Sequence, residues 1–251
     1  MGLVRSLVIY HNPVIRTPMR RFYRDLLRKG DLVFDIGAHV GTRARAMRAA
    51  GARVVALEPQ APFSSFLRLT LPRDIRLVEA AAGAEESVAE MAVSSRHPTV
   101  SSLKSGFVQS AGAAPGFEHV RWDRTQQVQV TTLDRLIREE GLPRYIKIDV
   151  EGFELEVLSG LSQPVEMISV EYLPGLPDLS RAVIDRLLEL GPYRFNPVQG
   201  EAASFLWDDW RDGDATKDWL RSLPADAVSG DLYARLPGTA AYDCALAVPS
   251  T

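Results

Sequence analysis

With 251 residues, 46% hydrophobic and 24% charged, the chain can build a sizeable core and shows no sign of a disordered, collagenous or repeat protein. A formal net charge of −3 excludes the broadly basic character of a nucleic-acid binder. The single cysteine, Cys244, rules out an intramolecular disulfide framework, and no apolar run approaches the ~20 residues of a membrane span, so a cytoplasmic location is expected.

In chain order, Met1 to Ser6 match a short myristoylation pattern, while the apolar stretch behind them is too brief for a signal peptide. Residues 1–30 are basic: Arg5, Arg16, Arg20, Arg21, Arg24, Arg28 and Lys29 face only Asp25. They read as a helical extension opened by Pro18 and stopped at Gly30, solvated along one side, or alternatively as a patch for an anionic partner. From residue 31 to 251 we expect one further unit. Leu32 to Gly37, Arg53 to Pro59, Ile75 to Val78, Tyr145 to Val150 and Val165 to Tyr172 read as buried strands. Helical stretches sit between them at Thr42 to Ala50, around Phe63 to Leu69, at Leu133 to Glu140 and near Phe153 to Leu158, and Leu179 to Leu190 follows the last strand. Such alternation implies parallel βαβ units with right-handed crossovers. Residues 95–127, rich in Ser, Gly, Ala and Pro, read as a long loop able to act as a lid. The remainder, with Trp207, Trp210 and Trp219 as packing residues, reads as a β-rich tail whose late strand is Leu232 to Leu236.

Asp35-Ile36-Gly37-Ala38-His39-Val40-Gly41 lies between a strand and a helix. The two glycines let the backbone turn sharply and approach a ligand without a Cβ in the way. Glu58 ends the next strand, where an acidic side chain can accept both ribose hydroxyls of an adenosine. A pyrophosphate site uses G-x-G-x-x-G, whereas this loop is G-x-x-x-G behind an acid. Asp35 would repel a pyrophosphate but attract an α-amino group, which selects S-adenosylmethionine. Asp35, Gly37, Ala38, His39, Gly41 and Glu58 are therefore the cofactor-binding candidates.

Together with Ser101-Ser102-Leu103, Thr132 to Leu136 and Ile146-Lys147-Ile148-Asp149-Val150-Glu151-Gly152-Phe153-Glu154, these residues resemble the FkbM family of methyltransferases. The likeness runs from Leu32 to about Tyr172, with a fainter echo at Gly230-Asp231-Leu232-Tyr233. It implies the class I, Rossmann-like methyltransferase fold: α/β and doubly wound, with a mostly parallel seven-stranded sheet. It also implies O-methylation of a sugar, glycan or other small metabolite. His39 stands where the family's loop commonly has asparagine, and it retains a donor for the cofactor carboxylate.

Methyl transfer to a hydroxyl requires in-line alignment and a destination for the proton. Asp149 and Glu151 are the catalytic candidates, with Lys147 on the same strand face placed to keep one carboxylate ionised. Glu171 reads as a plain strand-end residue, or alternatively as the group that completes an oxygen-rich Mg²⁺ site. Against these stand capping of the next helix by Asp149 or Glu151, and the loop histidines His97 and His119 as other bases. The acidic run Asp208, Asp209, Asp212, Asp214 and Asp218 reads as a solvated loop, because its glycine and final glutamate are misplaced for calcium. The partner expected is a small molecule or sugar rather than nucleic acid. Two rivals remain: a non-catalytic methyltransferase-like binding domain, and an RNA methyltransferase using the basic N-terminus.

Overall fold

A computed structural model of the chain describes residues 13–93 and 124–238. His97, His119, Ser101 to Leu103, most of the expected lid, the Met1 to Ser6 pattern and Cys244 lie outside these residues.

Helix α1 (Pro13–Leu26) leads into β1 (Leu32–Ile36), α2 (Thr42–Ala49), β2 (Arg53–Leu57), α3 (Phe63–Thr70) and β3 (Arg76–Val78). Three further strands follow: β4 (Ala81–Ala82), β5 (Ser87–Val93) and β6 (Arg124–Thr131). The chain continues with α4 (Leu133–Glu140), β7 (Tyr145–Ile148), α5 (Glu154–Ser159), β8 (Met167–Tyr172) and α6 (Pro177–Leu190). It closes with β9 (Arg194–Gln199), α7 (Gly213–Ser222) and β10 (Gly230–Arg235).

Seven strands form one sheet in the order β3-β2-β1-β7-β8-β10-β9, parallel except for β10, which runs antiparallel to both neighbours. This is the doubly wound, mostly parallel seven-stranded sheet expected of the class I methyltransferase type. Its order reverses between β1 and β7, which opens the ligand-binding crevice at their carboxyl ends. Strands β1 and β7 are buried along their whole length, as a sheet covered on both faces requires. The two-residue period distributes their side chains. Leu32, Phe34, Ile36, Ile146 and Ile148 pack with α4, α5 and α6, whereas Val33 and Tyr145 pack with α1 and α2 on the other face.

Helix α1 is amphipathic. Met19, Phe22, Tyr23 and Leu26 are buried, while Arg20, Arg21, Arg24, Arg28 and Lys29 face solvent. It starts before Pro18, not at it, because burial of this apolar side outweighs the local preference for proline in a first turn.

Three further expectations need correction. A second sheet, β4-β6-β5, takes in residues 124–127, which read as loop, as the start of β6. The tail is not simply β-rich: β9 and α7 precede the late strand. Asp212 caps α7 by accepting from Ala215 N at 2.9 Å, which draws Asp214 and Asp218 out of the expected loop and into a helix. The tail tryptophans do pack, Trp219 against both Tyr172 and Trp207, and Trp210 against Phe205.

Candidate active site

At the reversal point β1 runs straight into the glycine turn. Gly37 N and Ala38 N both donate to Leu57 O, at 3.0 and 2.8 Å, which ties the turn to the end of β2. Gly37 has φ +86°, and a Cβ there would be driven into the Asp149 carbonyl oxygen. A bare backbone is therefore what lets the β1 and β7 ends lie side by side. His39, at φ 51°, and Glu151, at φ 53°, adopt the left-handed region without being glycine, a conformation that concentrates at functional sites.

One cavity of about 360 Å³ opens here, and all six cofactor candidates except Gly41 line it, together with Asp149, Glu151 and Glu171. Gly41 instead starts α2, packed so that a Cβ would crowd Leu67 and the Arg45 guanidinium. Asp35 is 2% exposed, and its Oδ2 is buried without a hydrogen-bond partner among the described residues. Burial raises its carboxyl to about 6, with Lys147 and Arg43 pulling the other way. Glu58 is already engaged: Oε2 accepts from His39 N at 2.8 Å and Oε1 from Gln60 N at 2.9 Å. A carboxylate has about four acceptor directions, so capacity for a ribose diol remains. Burial lifts Glu58 to about 7 despite these two donors. The His39 ring packs on Phe63, and burial lowers it to about 4, so that it is neutral at physiological pH.

The raised Glu58 carboxyl has a stability consequence. Its proton is held more tightly in the folded chain, so its contribution is complete below about pH 4.5 and is lost as pH rises through about 7. Asp35 acts with the same sign. Thermal melts of the ligand-free protein are expected to fall from pH 5 to pH 8. Glu58→Gln should reduce that fall, by an amount on the order of 3 kcal/mol at full protonation difference. Equal slopes in the two proteins would contradict this.

At the acceptor end, β7 stops at Ile148 instead of Val150, so the strand alternation that would set Lys147 and Asp149 on one face does not reach Asp149. Glu151 arrives instead through the turn at its positive φ. Neither Asp149 nor Glu151 caps the next helix. The helix has no side-chain cap; Glu154, its first residue, reaches back to the preceding turn, accepting from Gly152 N at 2.9 Å and from Val150 N at 3.4 Å. Oxygens of Asp149, Glu151 and Glu171 lie within 4.8 Å of one another, the grouping that could hold a cation. Burial pushes Asp149 up, but the Lys147 ammonium and Arg43 guanidinium outweigh it and hold the carboxyl below its usual range. Burial, joined by the neighbouring carboxylates, pushes Glu151 and Glu171 well above theirs.

Lys147 is fully buried, and its Nζ bridges Asp149 Oδ2 and Asp231 Oδ1, each at 3.0 Å. Asp231 faces Arg43 at 3.7 Å, and Arg43 pairs with Glu201 at 3.2 Å. Arg43, Glu201 and Asp231 also line the cavity and were not singled out from the sequence. The only hint of them was the Gly230 to Tyr233 echo.

The sequence matches the family model described as Methyltransferase FkbM domain over residues 35–222. It is 30% identical over 161 residues to the hexuronic acid methyltransferase AglP of Haloferax volcanii, a match spanning 58% of this chain and 57% of that relative. Among solved structures, the O-methyltransferase from Bacillus cereus in complex with SAH is similar at 12% identity and a TM-score of 0.45, covering 94% of this chain and 90% of that one. The TehB-like SAM-dependent methyltransferase from Corynebacterium glutamicum reaches 0.46 at 9% identity, covering 92% and 93%. With a family model matched across more than half its length, the chain belongs to the FkbM family of methyltransferases.

Proposed function

We propose that the protein is an S-adenosylmethionine-dependent O-methyltransferase whose acceptor is a hydroxyl of a sugar, glycan or other small metabolite. The observation that carries this reading is the meeting, in one cavity, of Asp35, whose Oδ2 has no partner among the described residues, the Glu58 carboxylate and the Asp149–Glu151–Glu171 group. Bound S-adenosylmethionine supplies a methyl activated by its sulfonium. Asp35 would receive the α-ammonium, Glu58 would accept the ribose hydroxyls, and Gly37, Ala38 and His39 would form the close wall. Transfer of that methyl to a hydroxyl would release the hydroxyl's proton, which a carboxylate of the site would take. Asp149 suits that role because Lys147 keeps it ionised. Glu151 and Glu171, holding protons, donate to the acceptor's oxygens and orient it. The name of the Haloferax relative supports a sugar acceptor.

The closeness of the three carboxylates favours a second reading, in which Mg²⁺ rather than a proton offsets their charge. Incubation with methyl-labelled S-adenosylmethionine and a panel of free sugars, uronic acids, glycosides and nucleotide sugars tests the proposal. A product bearing a new O–CH₃ is expected. Cofactor binding with no product across the panel favours a non-catalytic binding domain. Full activity after EDTA dialysis supports the proton route, and loss restored by MgCl₂ supports the cation. In calorimetry, Glu58→Ala is expected to weaken cofactor affinity ~10-fold or more, since a charged hydrogen bond contributes roughly 1.5–3 kcal/mol; unchanged affinity removes Glu58 from the ribose.

A further inference from the structure

The segment after β2 has almost no hydrogen-bond donors left to offer a ligand. Glu58 N donates to Val78 O at 3.1 Å, Gln60 N to Glu58 Oε1 at 2.9 Å, and Ala61 N to Gln126 Oε1 at 3.1 Å. Residues 59 and 62 are prolines and carry no N–H. A backbone donor at this end of the cavity is therefore missing or spent at every position from 58 to 62.

One donor remains. The Gln60 side chain is 5% exposed, and its Nε2 is buried without a hydrogen-bond partner among the described residues. Leaving such a group unsatisfied costs about 1–3 kcal/mol. The residue lines the cavity beside Glu58, among the apolar side chains of Phe63, Ala81 and Met91. Its place is braced from both sides: Gln126 on β6 accepts from Ala61 N and donates through Nε2 to Pro59 O at 2.9 Å. The second sheet thus clamps the residues flanking Gln60.

We propose that Gln60 Nε2 donates a hydrogen bond to a ring nitrogen of the cofactor's adenine. The inference rests on the S-adenosylmethionine reading and adds the residue that identifies the base. Glu58 is an acceptor and suits the ribose hydroxyls, which donate. The ring nitrogens N1, N3 and N7 accept only, so they require a donor. The apolar wall beside Gln60 suits the faces of a flat heteroaromatic ring.

The probe is S-adenosylhomocysteine, measured by calorimetry with its 1-deaza, 3-deaza and 7-deaza analogues on the full chain. Gln60→Leu is expected to weaken binding of the parent compound about 10-fold, the effect of losing one hydrogen bond and leaving the base nitrogen unpaired. One deaza analogue should bind wild type about 10-fold more weakly than the parent and should bind Gln60→Leu as well as the parent does. The ligand-free variant should melt at or above the wild-type temperature, because an unsatisfied donor has been removed; a merely structural glutamine would lower it. Parent affinity within about 2-fold of wild type in Gln60→Leu overturns the assignment, as does a deaza penalty that persists in the variant. If Gln60→Leu does not fold, Gln60→Met takes its place. Equal wild-type affinity for the parent and all three analogues is then decisive against the proposal. Wild type that binds no S-adenosylhomocysteine fails the cofactor reading itself, a different outcome from normal binding indifferent to residue 60.

Discussion

Asp149→Asn is expected to lower turnover by about 100-fold or more while S-adenosylhomocysteine affinity stays within about 2-fold, the range that general-base removal spans. The substitution keeps the shape of the side chain and its contact with Lys147 but abolishes the charge. Lys147, wholly buried, then retains Asp231 as its full counter-charge, so the fold keeps a partner for the ammonium while the acceptor loses its proton sink. Initial rates with the acceptor found in the labelled panel, beside calorimetry of the same preparation, check both halves. Unchanged turnover removes Asp149 from proton transfer. A fall in affinity equal to the fall in rate makes Asp149 a binding residue instead.

Among the described glycines, Gly37→Ala should be the most damaging added methyl. The residue sits at φ +86°, and its Cβ would meet the carbonyl oxygen of Asp149, a backbone atom that cannot swing aside. A left-handed alanine costs about 1–2 kcal/mol, and forcing a methyl into a packed contact adds about 1–3. The expected loss is therefore roughly 2–5 kcal/mol in urea unfolding, with cofactor affinity reduced more than about 10-fold as the turn shifts off β7. Gly30→Ala is the control. It has φ +90° but nothing within 4 Å of the added carbon, so it should cost only about 1–2 kcal/mol and spare the cofactor. Equal costs at the two positions would mean that close approach at Gly37 contributes nothing.

The parts of the site legible in advance were those written locally. Asp35, Gly37 and Glu58 each sit where a strand ends, and a run of apolar residues followed by an acid or glycine marks such an end without knowledge of the rest of the chain. Lys147 could be paired with a carboxylate because the two are two residues apart. The reading failed where backbone geometry departed from regular strand. It ran the strand to Val150, whereas β7 ends at Ile148 and the chain turns through a left-handed residue at Glu151. It also offered Asp149 or Glu151 as a cap for the next helix, which carries no side-chain cap, while Glu154 binds the turn before it.

By itself, the amino-acid sequence determined the alternating β and α elements, the two-face burial of the central strands, the glycine turn and the acids at the ends of β1 and β2. All of these follow from side-chain periodicity and backbone sterics acting over a few residues. Only the tertiary structure decided that Asp231 would reach Lys147 across 84 positions, that Arg43 would meet Glu201 across 158, and that Gln126 would brace the loop holding Gln60. Such pairings depend on which strands become neighbours in the sheet. Strand order is set by global packing and by the antiparallel return of β10, quantities that no local window of sequence contains.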